Sequence, residues 1–146
     1  MQISEPFPLT VDRVRSLQQM IEAGHYDYAD PEIIEHHVPV NGTGVVTAAA
    51  LLVRFNRFIS TETVLAELAR LNLRPGDLIE LLAFGAQYPE MQRKFSVLEL
   101  ASIWMNRDGY RNVATLSRTA RERVLVVSYP GGGWRDIHRF LAFRKS

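Results

Sequence analysis

The most constraining feature of the sequence is its C-terminal part, in which short apolar runs alternate with polar, arginine-rich connections. Runs of this length with turn residues between them are typical of strands joined by short loops. We predict strands over Val97–Trp104, Tyr110–Leu116, Arg123–Tyr129 and Ile137–Arg144, connected by Asn106–Gly109, Ser117–Glu122 and Pro130–Asp136. An antiparallel sheet of this kind buries one face and leaves its loops available to a ligand. The segment is therefore predicted to form a binding surface on a rigid small domain.

The chain before these strands predicts three helices and one buried strand. The helices are expected over Val11–Ala23 after a Thr10 cap, over Thr61–Leu71 after a Ser60 cap, and after an Asp77 cap. The strand is Val45–Phe55, with a helix through its Ala-Leu stretch as the alternative.

Apolar spacing defines the buried side of each predicted helix. The first helix places Val11, Val14, Leu17 and Ile21 on one face and stops at Gly24, where a left-handed residue is expected. The third helix turns leucines inward and directs Glu80 elsewhere.

This order of elements predicts an α+β fold with two to three helices packed on a mainly antiparallel sheet. A chain of 146 residues is predicted to be a single domain. Residues 1–42 are expected to form an N-terminal helix and loop extension, and residues 43–146 to form the core.

The composition limits the cellular compartment and the kinds of reactive site that we expect for this chain. The chain has no cysteine, so it has no disulfide, no thiolate metal site and no cysteine nucleophile. Its N-terminus lacks the basic and apolar regions of a signal peptide, and no apolar run is long enough for a membrane span. We therefore expect a cytoplasmic protein without a membrane span.

Charge is unevenly distributed along the chain. From Trp104 onward there are nine basic and three acidic residues, a balance of +6, whereas the preceding part has eight basic and thirteen acidic residues, a balance of −5. Such asymmetry is typical of a chain that binds nucleic acid or an acidic ligand. The alternative is that these arginines lie on the solvated face of a sheet and in its loops.

No group of residues has the spacing of a catalytic or metal site. His36 and His37 are adjacent, so on a strand they face opposite ways, and Asp27, Asp30, Glu32 and Glu35 form only a charged loop. Pro130–Gly133 lacks the Gly-Lys-Ser/Thr ending of a phosphate loop, and a flexible turn that folds Trp134 back onto the sheet is favoured. We predict no enzyme activity, metal or cofactor.

Aromatic and polar residues between the predicted strands favour a binding face, because Tyr, Trp and Arg carry interface energy at low entropic cost. The predicted ligand-binding residues are Trp104, Asn106, Arg107, Asp108, Tyr110, Arg118, Arg121, Tyr129, Trp134, Arg135, Asp136 and His138. Trp104, Tyr110, Tyr129 and Trp134 are expected to act as rigid contacts, although Trp104 could equally anchor the core. We expect a protein or a glycan as the ligand. A nucleic acid stacking on these rings, or no ligand on this face, remain alternatives.

Three segments resemble a known family. They are the run from Phe55 through the helix around Val64–Leu68, the segment Leu73–Ala83, and the ending formed by Trp134 with Arg139–Arg144. Over roughly residues 45–146 they resemble C-type-lectin-like domains of the formylglycine-generating-enzyme type. In that family a helix leads to an Arg-Leu-Pro-Thr-x-x-Glu-Trp-Glu motif that opens the second helix, and a Gly-Phe-Arg-type strand closes the fold. The Trp of this motif is replaced here, and the intervening loops are shorter.

The resemblance implies a lectin-like core over 43–146 and a role in binding. The family's enzymes require paired cysteines or a histidine triad, which this chain lacks, so enzyme activity does not carry over. The remaining branch contains the variable proteins of diversity-generating retroelements, which place a diversified ligand-binding surface in the last part of the chain. The resemblance implies that Trp104, Tyr110–Val113, Arg123–Val126 and Arg139–Arg144 form the fixed framework.

Overall fold

The structure is a computed structural model that describes residues 1–35, 37–38 and 42–146. In these residues, three α-helices accompany a large mixed sheet, and short 3-10 turns lie at Met91–Arg93 and Pro130–Gly132. The elements are β1 (Gln2–Ile3), β2 (Phe7–Asp12), α1 (Leu17–Ala23), β3 (Tyr28–Ala29), β4 (Val45–Arg54), α2 (Thr61–Arg70), β5 (Leu73–Pro75), α3 (Leu78–Gln87), β6 (Ser96–Leu98), β7 (Trp104–Met105), β8 (Arg111–Arg118), β9 (Arg123–Ser128) and β10 (His138–Arg144). The α+β prediction is therefore confirmed.

The sheet runs in the order β1-β4-β10-β6-β8-β9-β3, with β2 and β5 paired to β4 and β10, and β7 paired to β8. Most pairs are antiparallel, but β10 is parallel to β6 and β3 is parallel to β9. The last strand thus returns to the middle of the sheet between β4 and β6 instead of extending a series of hairpins.

Two hydrophobic cores lie on opposite faces of this sheet. Strand β10 shows the division, because Leu141 and Phe143 enter the core with α1, α3 and β2, whereas Phe140 and Ala142 enter the core with α2. Alternate side chains of a strand point to opposite faces, so a central strand covered on both faces is apolar throughout. The near-continuous apolar runs of β4 and β10 have this cause.

The predicted helix over Val11–Ala23 is wrong in its first half. Residues Phe7–Asp12 form β2, an edge strand on β4, in which Leu9 and Val11 are buried and Pro8 points outward. Val14, expected on the buried stripe, is 74% exposed. The helix begins after Ser16, whose side chain forms a capping box with Gln19.

The other predicted helix and strand boundaries before residue 90 agree with the structure, with small changes. Strand β4 confirms the predicted strand over Val45–Phe55, and Ser60 and Asp77 cap α2 and α3 as expected. At the first helix, Gly24 is the C-cap but has a right-handed backbone, and His25 takes the left-handed conformation with φ 50°.

Two details are corrected. Glu80 is not directed away: it is buried, caps the backbone N–H of Asp77 at 2.9 Å and pairs with Arg74 at 2.7 Å. The single strand predicted over Val97–Trp104 is divided into β6 and β7, because Glu99 Oε2 accepts the Ser102 N–H at 2.8 Å and turns the chain between them.

The guanidinium of Arg123, on β9, is buried and holds together several elements on one side of the sheet. Its Nη1 donates to Gly24 O at 2.7 Å, and its Nη2 donates to Gly85 O and Gln92 Oε1, both at 2.9 Å. Its Nε donates to Pro89 O at 3.1 Å. Proline has no N–H, so the Gly85 carbonyl lacks its usual helical donor four residues later, and Arg123 supplies one.

Tyr26 completes this cluster. Its ring lies 5.0 Å from the Arg123 guanidinium, and burial raises the pKa of its phenol, although the nearby Arg123 charge opposes this. A Cβ on Gly85 would lie 2.2 Å from the Tyr26 hydroxyl oxygen, so glycine is required at this contact.

None of the helices in the described ranges is long and apolar enough to cross a membrane.

Replacing Arg123 with Met is expected to lower the free energy of unfolding by about 3–5 kcal/mol, because it leaves the carbonyls of Gly24, Gly85 and Pro89 and the Gln92 side chain without their donor. Arg121→Met, at an exposed position of the same hairpin, should change it by less than about 0.5 kcal/mol. Urea denaturation of both variants measures this difference. Equal effects would show that the Arg123 cluster contributes little to stability.

Candidate functional site

Two exposed tyrosines frame a cleft at one end of the sheet. Tyr110 is 63% exposed and Tyr129 is 61% exposed, and their rings meet edge to face at 6.1 Å. The cleft has a volume of about 640 Å³ and is lined by Gly109, Tyr110, Arg111, Tyr129, Gly131 and Gly132. We call it the tyrosine cleft. The structure therefore brings together two predicted ligand-binding residues that are distant in sequence.

The turn that carries Tyr110 is fixed by Asn106. Its Oδ1 accepts the N–H groups of Asp108 and Tyr110, both at 3.0 Å, and its backbone N–H donates to Tyr110 O at 2.8 Å. Gly109 adopts φ 85°, which favours glycine. Asn106 thus positions Tyr110, whereas Arg107 and Asp108 are exposed at the tip.

The glycine-rich segment after Tyr129 is held against α2. Thr61 Oγ1 donates to Pro130 O at 2.7 Å and accepts the Trp134 Nε1–H at 2.9 Å. Ile59 and Trp134 exchange two backbone hydrogen bonds of 2.9 and 2.8 Å. Gly133 has φ 74°, and a Cβ there would lie 2.5 Å from the Phe58 ring. The chain therefore turns back and places Trp134 on the sheet, as predicted.

Both predicted tryptophan contacts lie inside the protein. Trp134 is 3% exposed and packs edge to face against Phe140, and Trp104 is 7% exposed in the other core. Neither ring presents a surface to a ligand, so neither tryptophan contributes to a binding surface in this structure. Indole area is large, and its burial here stabilises the fold instead.

A second cleft lies beside the first, on the sheet face that α2 covers only in part. Its volume is about 570 Å³. Five of its lining residues carry hydroxyl groups, and we call it the hydroxyl groove. Its lining residues are Ser96, Thr115, Ser117, Thr119, Ser128, Arg118, Arg135, His138, Ala120, Val126 and Ile137.

The strand register explains why hydroxyls gather here. On β8 the same face carries Val113 in the core under α2, then Thr115 and Ser117 beyond it. Thr115 Oγ1 donates to Ser128 Oγ at 2.9 Å across β8 and β9, and the hydroxyls of Ser96 and Ser117 lie 3.3 Å apart. Polar side chains thus replace apolar ones where the helix layer ends.

His138 forms the end of this polar floor beside Ser96, its partner in the parallel pairing of β10 and β6. Burial lowers the pKa of His138, and the charges of Arg135 and Arg139 lower it further, although a hydrogen bond to the Arg135 backbone opposes this. Burial and the neighbouring charges therefore favour the neutral imidazole. Its Nδ1 lies 3.1 Å from the Arg135 backbone nitrogen and 3.3 Å from the Arg135 carbonyl oxygen, so the backbone engages Nδ1 in either tautomer, and Nε2 has no hydrogen-bond partner among the described residues.

The charge around the hydroxyl groove is positive. Arg118 and Arg135 line it, no carboxylate lines it, and neither guanidinium forms an ion pair with any residue that the structure describes. Asp136, which was predicted to bind, lies 3.9 Å from Arg54 instead. Arg121 is exposed and lines neither cleft.

Other C-terminal arginines have structural partners. Arg123 is buried, Arg111 lies 3.5 Å from Glu62, and Arg139 donates to Asp136 O at 2.9 Å with its guanidinium 4.2 Å from the Phe95 ring centre. Arg144 lies at the opposite end of β10 from His138, a span of about 20 Å at the usual strand rise. The basic residues therefore do not form one continuous patch.

Sequence analysis missed the serine and threonine residues of the groove. The signal was present as hydroxyl residues at alternate positions, Thr115 and Ser117 on one strand and Ser128 on the next. Alternation shows that these side chains share a face, but it does not show that the face lacks a covering helix.

The N-terminal histidines and carboxylates form no reactive group in the described ranges. Asp27 accepts the Arg123 N–H at 2.8 Å, and Glu35 accepts the Leu17 N–H at 3.1 Å, so both carboxylates cap the backbone. His37 Nδ1 lies 2.8 Å from Glu32 O, whereas His36 lies outside the described residues. No set of three His, Cys, Asp or Glu side chains in those ranges could hold a metal ion.

A larger cleft, of about 950 Å³, lies where β4 and β10 approach the two ends of the chain, and it includes Glu5, Arg74 and Lys145. It contains none of the predicted ligand-binding residues.

No protein-family model, curated protein or solved structure matches this chain. The C-type-lectin-like assignment therefore stays a prediction.

The buried carboxyl group of Glu99 has a strongly raised pKa, and sequence analysis did not identify it as a notable residue. It has no exposed surface, and burial raises its pKa to about 8. The Ser102 and Ala101 N–H groups lower this pKa, whereas Asp77 and Glu80 raise it. Glu99 lines neither the tyrosine cleft nor the hydroxyl groove, and its Oε2 accepts the Ser102 N–H at 2.8 Å.

Glu99→Gln is expected to change how stability depends on pH. The folded-state pKa of about 8 lies above the ordinary value of 4.5, so the folded wild type binds an extra proton between these values. Wild-type stability relative to the variant should therefore fall as pH rises through this window, by at most about 1.4 kcal/mol per pH unit. Urea denaturation of both proteins across the window measures the difference, and parallel pH profiles would contradict the raised pKa.

Proposed function

We propose that this protein is a ligand-binding module, without catalytic activity, whose recognition surface lies on the C-terminal strands and loops. The observation that carries the proposal is the pair Tyr110 and Tyr129, which stay exposed while touching each other and framing the tyrosine cleft. Tyrosine offers a large amphipathic contact with few rotatable bonds, and it is enriched where proteins bind partners.

Rigid support for these rings strengthens the proposal. Asn106 fixes the turn before Tyr110, and the hydrogen bonds of Thr61 fix the turn after Tyr129. A surface that is ordered before binding loses less conformational entropy when the ligand arrives. The tyrosine cleft and the hydroxyl groove adjoin along β9, since Ser128 lines one and Tyr129 the other. The ligand class consistent with both is a protein or a glycan.

Replacing both Tyr110 and Tyr129 with Ser should weaken ligand binding at least tenfold and leave the unfolding midpoint nearly unchanged, because both rings are largely exposed. The measurement is binding to an array of immobilised proteins and glycans, repeated by titration with each ligand found. Tyr28→Ser is the control, since Tyr28 is also exposed but lies opposite Val124, about 17 Å along β9 from Tyr129 at the usual strand rise.

An array that yields no ligand, or ligands that bind the double variant as well as the wild type, would contradict the proposal. Retention on a polyanion that falls steeply with salt would instead support the alternative of nucleic-acid binding through the basic half.

A finer form of the proposal is that a diversity-generating retroelement varies this surface, as in the variable proteins that the sequence resembles. Support comes from the separation of exposed tips, such as Asp108 and Tyr129, from strand residues that fill two cores. Substitution at such tips leaves the packing of the framework unchanged.

This finer proposal predicts a specific genomic context. A reverse transcriptase gene should lie nearby, with a near-copy of the 3′ end of this gene that differs from it at adenines. Genome sequence around the gene provides the test. Absence of both features would reject diversification and leave the binding proposal intact.

A further inference from the structure

The hydroxyl groove is a sheet face that continues beyond its helix layer. Under α2 the face is apolar, with Phe140, Leu98 and Val113 in the core. Past them, the same strands carry His138, Ser96 and Ser117. If this half were only an uncovered surface, long charged side chains would be expected on it, because they are readily solvated. Short hydroxyl side chains instead leave an open concavity of about 570 Å³.

The groups in the groove favour a particular chemistry. Ser96 and Thr115 are buried in the floor, whereas Ser117, Thr119 and Ser128 are at least partly exposed, and each of their hydroxyls both donates and accepts hydrogen bonds, as sugar hydroxyls do. The Nε2 of His138 has no hydrogen-bond partner among the described residues and is available to a ligand. At the rim, Arg118 and Arg135 form no ion pair with any residue that the structure describes. A guanidinium binds carboxylate or sulfate groups through paired hydrogen bonds, so both side chains are suited to an acidic ligand.

Nucleic acid fits this groove less well. Its lining contains no Trp, Tyr or Phe on which a base could stack, and single-strand binding sites depend on such rings. The exposed tyrosines lie in the neighbouring cleft, where the cation Arg111 is paired with Glu62. Positive charge and hydroxyl groups therefore coincide in the hydroxyl groove, without Trp, Tyr or Phe.

We propose that the hydroxyl groove binds an acidic oligosaccharide, whose carboxylate or sulfate groups pair with Arg118 and Arg135 and whose hydroxyls meet the Ser, Thr and His floor. This inference rests on the proposed binding function and names a ligand class for one part of its surface. The Trp134 ring packs edge to face against His138 at 5.1 Å and so holds the imidazole in place beneath the ligand.

The test compares two double variants that remove the same charge. Arg118→Gln with Arg135→Gln alters the groove, whereas Arg107→Gln with Arg121→Gln removes two exposed arginines that line neither cleft. Calorimetric titration at fixed ionic strength uses an oligogalacturonate, a sulfated dextran oligomer and the unsulfated dextran oligomer. We expect the groove variant to bind the acidic sugar at least tenfold more weakly than the wild type, and the control to change less than about threefold.

Ser117→Ala separates sugar recognition from simple anion binding. Loss of one hydroxyl contact should weaken binding of the acidic oligosaccharide by about two- to tenfold and leave binding of inorganic sulfate unchanged. The wild type and the Ser117→Ala variant should unfold at similar urea concentrations, since Ser117 is only half-buried.

Several results would overturn the inference. They are equal losses in the two double variants, equal affinity for the neutral and acidic oligomers, or tighter binding of a single-stranded oligonucleotide than of either acidic sugar. If the acidic sugars fail but a ligand from the array still depends on Tyr110 and Tyr129, the ligand class is wrong and the binding function stands.

Discussion

The buried guanidinium of Arg123 is the interaction on which the arrangement of the structure depends most. It has no carboxylate partner within its cluster and is held by the backbone oxygens of Gly24, Gly85 and Pro89 and by the side chain of Gln92. Two of these carbonyls belong to the ends of α1 and α3, where unpaired C=O groups and the helix dipoles favour a cation. Because Arg123 lies on β9, this one side chain fixes the last helix turns on one face of the sheet to a strand whose Ser128 lines the hydroxyl groove on the other face. The hydroxyl groove is therefore anchored through β9 to the helices that cover the opposite face of the sheet.

The second determinant is the incomplete cover of the sheet. Helices α1 and α3 and strand β2 cover one face, whereas α2 covers only the part of the other face that includes Phe140, Leu98 and Val113. Sheets of α+β proteins commonly leave such a face open, and an open face must be polar to stay soluble. Here it is polar through hydroxyls and an imidazole, with arginines at the rim that form no ion pair with any residue the structure describes, and it adjoins exposed tyrosines on fixed turns. The combination resembles a binding surface more than a merely solvated one.

Local signals in the sequence were sufficient to place some elements and insufficient to place others. The caps Ser60 and Asp77 were correctly assigned because capping depends on neighbours within one helical turn. The helix expected over Val11–Ala23 failed because its apolar positions also fit a strand followed by a shorter helix, and pairing with β4 decided between them. The number of arginines in the C-terminal part suggested a basic surface. In the structure, however, Arg111 pairs with Glu62, Arg123 donates to backbone carbonyls, and Arg139 donates to Asp136 O. Trp104 and Trp134 looked like contacts because aromatic residues suit both interfaces and cores, and only packing separates the two roles.

By itself, the sequence determined the α+β class, most strand positions, the caps of α2 and α3 and the turns at Asn106 and Gly133, since all of these depend on local backbone preferences and on short-range periodicity. The Thr10 cap was wrong, because Thr10 lies in β2 and Ser16 caps α1. Tertiary structure alone decided that β10 returns between β4 and β6, that Arg123 and both tryptophans are buried, and that Ser96, Ser117 and His138 share one open groove. Those outcomes require contacts between residues far apart in the chain. The free energy of such contacts depends on which surfaces remain uncovered after the cores have formed, and no local pattern of residues contains that information.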